Sequence, residues 1–218
     1  RGLGDVYKRQ AIGRGTLDNS NYSISYTGDS LSITPLAVTV TAASKTKIYG
    51  STDPAFTYNS TPTIGTHLAT GDSIRFTGAL TRTTGENVGR YAINKGTLAN
   101  SNYSISYIGD SLSITPLAVT VTAASKTKIY GSTDPAFTYT SNPAISTYLA
   151  TGDSIRFTGS LTRTAGENVG RYAIGRGTLA NSNYSISYIG DSLSITPLAV
   201  IVTAASKTKI CLLYTSPS

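Results

Sequence analysis

Apolar and polar residues alternate along most of this chain. In LAVTVTA (36–42) Leu36, Val38 and Val40 fall on one face and Ala37, Thr39 and Thr41 on the other. SIRFTGALTR groups Ile74, Phe76 and Leu80, RYAI groups Tyr91 and Ile93, and YSISYI and SLSITP keep the same period of two. That period belongs to strands with one buried face. No window carries a stripe at helical spacing, and the many Gly, Thr, Ser and β-branched residues are poor helix formers. Between YSISYI and SLSITP stand only Gly109 and Asp110, which reads as a two-residue hairpin turn. The register it predicts sets Tyr107 opposite Leu112 and Ile105 opposite Ile114 on the buried side.

The strands recur in blocks. Pro35, Pro116 and Pro197 each close the string SLSITP, a spacing of 81 residues (116 − 35 and 197 − 116). Blocks 36–116 and 117–197 differ at nine positions, so 72 of 81 (81 − 9) are the same. Five of the nine lie in 59–67, a Ser/Thr/Asn/Gly/Pro-rich run that reads as an exposed loop. Residues 11–35 repeat the end of a block and 198–210 the start of one. The predicted organisation is thus two complete modules flanked by two partial ones. Each module should fold about six strands into a small sandwich, because strands with one apolar face must stack those faces together. The fold class is all-β: a tandem array of small Ig-like β-sandwich modules. The alternative is a β-grasp-like module with one short helix near Gly71 to Ile74. A single Pro joins SLSIT to the next LAVTV, and so short a linker is stiff.

The flanks differ from the rest. Residues 1–10 (RGLGDVYKRQ) and 211–218 (CLLYTSPS) resemble the two translated orientations of one sequencing-library adapter, so they are set aside from the fold. The only cysteine, Cys211, goes with them. Of the net charge of +7, Arg1, Lys8 and Arg9 against Asp5 supply +2, and the rest is spread at about +2 per block. So dispersed a balance makes no nucleic-acid footprint.

Catalytic chemistry has few candidates. His67, the one histidine, is Tyr148 in the second block, so a His-based triad or metal site cannot occur in both. Asp53, Asp72, Glu86 and Asp110 are scattered, and turn duty accounts for them, since Asp53 precedes Pro and Asp72 and Asp110 follow Gly. No calcium-loop string is present, and Gly85-Glu86-Asn87-Val88-Gly89 lacks the Lys and helix of a phosphate loop. Its expected role is a turn that presents Tyr91 as a tyrosine corner does. Lys45/Lys47 and Lys126/Lys128 read as solvated strand ends. Tyr49, Phe56, Tyr58, Phe76, Tyr91, Tyr103 and Tyr107 are core or half-core aromatics. No catalytic, cofactor-binding or metal-binding residue is assigned, and no cofactor.

Several of these residues form an ordered set. Tyr49-Gly50-Ser51, Asp53 to Tyr58 (DPAFTY), Gly71-Asp72-Ser73, Gly85 to Ile93 (GENVGRYAI), Gly96-Thr97-Leu98 and Asn102 to Ile105 (NYSI) resemble the MBG domain of the YGX type, and the second block repeats the pattern from Tyr130. The resemblance covers essentially all of 36–197. It implies tandem repeats of a large bacterial surface or secreted protein, among them filamentous-haemagglutinin-like adhesins, with export and a stalk or adhesive role. It carries over no catalytic residues. The expectation is a non-enzymatic, extracellular or cell-surface spacer whose partners are neighbouring repeats, with no nucleic acid and no membrane insertion of this segment. The alternative is that the repeats themselves bind a host or matrix glycan or protein, weakly and multivalently.

Overall fold

The computed structural model describes residues 9–211. The chain divides into two compact units. One takes in the chain up to Leu117 with Tyr148–Asp153 and Ser182–Tyr184; the other takes in Ala118–Thr147, Ser154–Asn181 and the chain from Ser185. All regular structure among the described residues is strand, in line with the all-β reading.

In the first unit β1 (Arg9–Ile12) and β2 (Asp29–Ser32) form an antiparallel ribbon. Seven strands follow: β3 (Leu36–Ala42), β4 (Lys45–Ile48), β5 (Tyr58–Thr61), β6 (Thr81–Arg82), β7 (Gly89–Asn94), β8 (Tyr103–Ile108) and β9 (Asp110–Thr115). They make a three-stranded sheet ordered β5-β3-β8 and a four-stranded sheet ordered β4-β9-β7-β6. Both sheets are mixed. β3 runs antiparallel to β5 and parallel to β8, and β9 runs parallel to β4 and antiparallel to β7. The two central strands supply the core: Val38 and Val40 from β3, Leu112 and Ile114 from β9, each 2% exposed or less. Ile74, Ile93 and Leu98 complete it.

The second unit repeats the pattern with β10 (Leu117–Ala123), β11 (Lys126–Ile129), β12 (Tyr139–Asn142), β13 (Thr162–Arg163), β14 (Gly170–Gly175), β15 (Tyr184–Ile189) and β16 (Asp191–Thr196). Its sheets are ordered β12-β10-β15 and β11-β16-β14-β13. Residues 198–210 copy the start of β3 yet form no strand, and Ile201 and Val202 are exposed. β3 is held by β5 and β8, and this segment has no counterpart of either among the described residues.

Three expectations need correction. The hairpin at Gly109-Asp110 does not form, because β8 and β9 belong to different sheets. Period-two alternation says which face of a strand is buried but not which strand lies beside it. Here β8 takes β3 as a parallel neighbour over Leu36↔Tyr103 to Thr41↔Ile108, and the chain turns a corner at Gly109. The corner is tight. A Cβ on Gly109 would stand 3.0 Å from the Ile93 carbonyl oxygen, and the Tyr107 hydroxyl donates to that same oxygen at 2.9 Å. Second, 59–67 is not all loop, since β5 includes Asn59 to Thr61. The five block differences fall on alternate residues (59, 61, 63, 65, 67), while Ser60 between them is buried and donates from Oγ to the Pro62 carbonyl at 2.7 Å. Third, Gly71 to Ile74 is a turn, not a helix: the Leu68 N–H donates to the Asp72 carbonyl at 2.7 Å.

A core built on the central strands makes their substitution costly. Leu112→Ala is expected to lower stability by about 2–5 kcal/mol, whereas Thr41→Ala, on the wet face of β3, should change it by less than about 1 kcal/mol. Urea unfolding followed by circular dichroism measures both, and equal effects would contradict the assignment of faces.

Candidate functional site

β4 reads KTKI, and burial along it runs against hydropathy. Ile48 is 50% exposed while Lys47 is 6% exposed. The ladder explains the geometry: Lys47 is in register with Ile114 of β9, so its side chain shares the face of a core residue. An ammonium there needs opposite charge. Lys47 Nζ donates to Asp53 Oδ1 at 2.7 Å and to Glu86 Oε2 at 2.6 Å. The other cation comes from β6, where Arg82 is in register with Ile93 of β7 and its side chain is 10% exposed. Its Nε donates to Asp53 Oδ2 at 2.6 Å, one Nη adds a second bond to Asp53, and the same Nη pairs with Glu86. Two cations thus share two carboxylates, the bidentate geometry that a guanidinium favours.

The cluster is locked from its flank. Arg82 lies over the Tyr91 ring, 5.4 Å from its centroid. The Tyr91 hydroxyl donates at 2.8 Å to the Asn87 carbonyl, four residues upstream, which is the tyrosine-corner arrangement expected from the sequence. Arg82 also donates to the carbonyls of Thr83 and Gly85. Gly85 has φ +137°, and a Cβ on it would lie 2.3 Å from Tyr91 Cε1, so the turn requires glycine. The second unit repeats every part. Lys128 pairs with Asp134 and Glu167, Arg163 pairs with the same two, and Arg163 lies 5.3 Å from the centroid of Tyr172.

Lys47 and Lys128 are therefore not solvated strand ends, and Asp53 and Glu86 do more than turn duty. They tie β4, the DPAF segment, β6 and the GENVG turn into one charge-balanced knot. The alternation at Ile48 hid this, because an apolar neighbour pulls the buried face the wrong way when hydropathy alone is read. Asp110 and Asp72 stay local: Asp110 accepts from the Ser111 N–H at 2.7 Å, and Asp72 serves the turn. His67 is exposed and bridges Ser73. Lys45 and Lys126 are half-buried in the same strands. Phe76 packs edge-on between Tyr58 and Tyr103, with centroids 5.9 and 5.5 Å away, so these rings are half-buried filler as expected.

The electrostatics follow from the pairing. Hydrogen bonds from Arg82 and Lys47 hold the Asp53 carboxyl below its usual range against the cost of burial, and Arg163 with Lys128 pulls Asp134 down to about 2. Burial opposes ionisation of Glu86, yet Lys47 and Arg82 outweigh it and its pKa falls. Lys128 in turn lowers Glu167, with Arg163 second. Burial likewise opposes charge on Lys47, but its two carboxylates win and its pKa rises; Asp134 and Glu167 raise Lys128. All four groups stay charged at neutral pH. An acid–base catalyst needs a group poised near that pH, and this knot supplies none.

The pH dependence follows in sign. Depressed carboxyl pKa values contribute stability that is complete above their unfolded values, 3.8 for Asp and 4.5 for Glu, and is lost as pH falls toward about 2. Raised lysine pKa values contribute stability that is complete below 10.5 and lost at higher pH. Thermal melts should therefore show a plateau from about pH 5 to about pH 9 with a fall on each side. In the Arg82→Met/Arg163→Met variant the plateau should be lower and the acid fall shallower and centred at higher pH. An unchanged acid limb would contradict the pairing.

Comparison with known proteins fits this architecture. No curated protein matches the chain. The family model of the MBG domain (YGX type) matches residues 38–113 and again 119–194. These spans contain the whole knot of each block, from Lys47 to Tyr91 and from Lys128 to Tyr172. Matched twice and over most of its length, the chain belongs to the MBG domain (YGX type) family.

Proposed function

We propose that this segment is a spacer in a large bacterial surface or secreted adhesin, in which repeated β modules hold a distal binding region at a distance. The observation that carries this reading is that the buried cations of each block are paired with carboxylates of the same block. Four charged side chains per block neutralise one another, and the fully buried residues Val38, Val40, Leu112 and Ile114 recur at the same places in the next block. The two blocks differ mainly within 59–67, at the end of β5 and in the turn after it. A single Pro between β9 and β10 fits a short, stiff joint. Under this reading the segment is extracellular and carries no catalytic step.

A second reading, in which the units bind a host or matrix glycan or protein, draws on that same variable segment and its exposed tyrosine. Tyr148, which replaces His67, is 81% exposed. Repetition would raise avidity for a weak ligand.

Small-angle X-ray scattering on residues 36–197 tests the spacer reading. An elongated particle whose length grows in proportion when repeats are added supports it, and a globule of constant axial ratio contradicts it. A glycan array probed with one, two and four repeats separates the readings: signal that climbs with valency favours binding, and silence at every valency favours the spacer.

A further inference from the structure

Tyr49 and Tyr130 occupy equivalent places in blocks that are identical around them (KTKIYGSTDPAFTY), yet their surroundings differ. Tyr49 is 7% exposed and Tyr130 is 47% exposed. The difference comes from the segments Tyr148–Asp153 and Ser182–Tyr184, which belong to the same compact unit as Tyr49. The Tyr49 hydroxyl donates to Asp153 Oδ2 at 3.0 Å, and its ring meets Tyr184 edge-on with centroids 5.9 Å apart. Gly50 beside it adopts φ +82°, and a Cβ there would stand 2.6 Å from Leu149 Cδ1. Gly131, at the same φ within a degree (+83°), has nothing within 4 Å. Next to this corner the Val88 N–H donates to Asn183 Oδ1 at 2.9 Å, and Asn183 Nδ2 donates to Asn87 Oδ1 at 3.0 Å. The counterpart of Val88, Val169, is 53% exposed.

The residues that receive Tyr49 have copies 81 positions earlier: Leu68 for Leu149, Asp72 for Asp153, Asn102 for Asn183 and Tyr103 for Tyr184. These four line a groove of about 670 Å³ in the first unit. Asp72 is exposed and Tyr103 half-buried, where Asp153 is half-buried and Tyr184 buried. The same residues are therefore filled in one block and open in the other.

We propose that the Tyr-Gly corner of this repeat is a docking knob, and that the groove of Leu68, Asp72, Asn102 and Tyr103 is the receptor for that corner on another copy of the repeat. The knob needs both of its residues. The tyrosine supplies the ring and the donor for the carboxylate, and glycine lets the backbone close on leucine. This gives the Tyr-Gly pair of the sequence pattern a task that turn formation alone does not require. The inference is independent of what an array carries: loss of docking shows in melting, failure of the spacer reading in scattering.

The test exploits the duplicate. In the 218-residue chain, Tyr49→Ala should lower the melting temperature by roughly 5 °C or more, and Tyr130→Ala by less than about 1 °C. Tyr49→Phe, which keeps the ring, should give a smaller fall that is not additive with Asp153→Asn, because both act on one hydrogen bond: Phe removes its donor and Asn replaces the charged acceptor with a weaker neutral one. Asp72→Asn should be silent in this chain and become destabilising when a complete further copy of 36–116 is placed ahead of residue 36. Equal effects at Tyr49 and Tyr130, full additivity with Asp153→Asn, or an Asp72→Asn effect unaltered by the added copy would each overturn the proposal.

Discussion

A lysine held on the core face of a strand is the constraint around which each block is arranged. Lys47 cannot sit beside Ile114 unless its charge is met, and the charges that meet it come from Asp53 and Glu86, distant in sequence. Both carboxylates must also be shared with Arg82, or the site would carry a net negative charge. That requirement ties the DPAF segment to β4 and β6 through Asp53, and the GENVG turn to the same strands through Glu86. Glycine at position 85 and the ring of Tyr91 are its consequences. Such a knot adds modest net stability, because desolvation offsets much of the attraction. It links four segments, β4, the DPAF stretch, β6 and the GENVG turn, that are distant in sequence.

The apolar core performs the complementary task. Val38, Val40, Leu112 and Ile114 come from the two central strands, so the sheets are defined from their middles outward. The edge strand β6 is only two residues long and depends on contacts beyond its ladder. Arg82 lies on β6, so the knot anchors the strand that the ladder holds least. The core joins the middles of the two sheets, and the charge cluster joins the edge strands β4 and β6 of one of them.

Much of this was legible in the sequence. The 81-residue period, the strand class, the buried faces of β3 and β9 and the tyrosine corner at Tyr91 follow from alternation and repetition. Partner choice was not legible. Gly109-Asp110 has the residues of a hairpin turn, but β8 pairs in parallel with β3 while β9 joins the other sheet, and local turn chemistry gives way. Burial of Lys47 was masked by Ile48 for the same reason: hydropathy scores a residue alone, whereas a buried charge is decided by residues far along the chain. One overlooked signal was present. The differences at 59 and 61 lie on either side of buried Ser60 in β5, and those at 63, 65 and 67 fall in the exposed turn that follows it.

The charge knot can be observed directly by heteronuclear NMR, following the side-chain Cε and Nζ signals of the lysines as pH is raised. Lys47 and Lys128 are expected to titrate above the ordinary lysine value of 10.5, with ammonium protons that exchange slowly with water. Two lysines that titrate at or below that value, with fast-exchanging protons, would mean that neither is held between its carboxylates and would contradict the account.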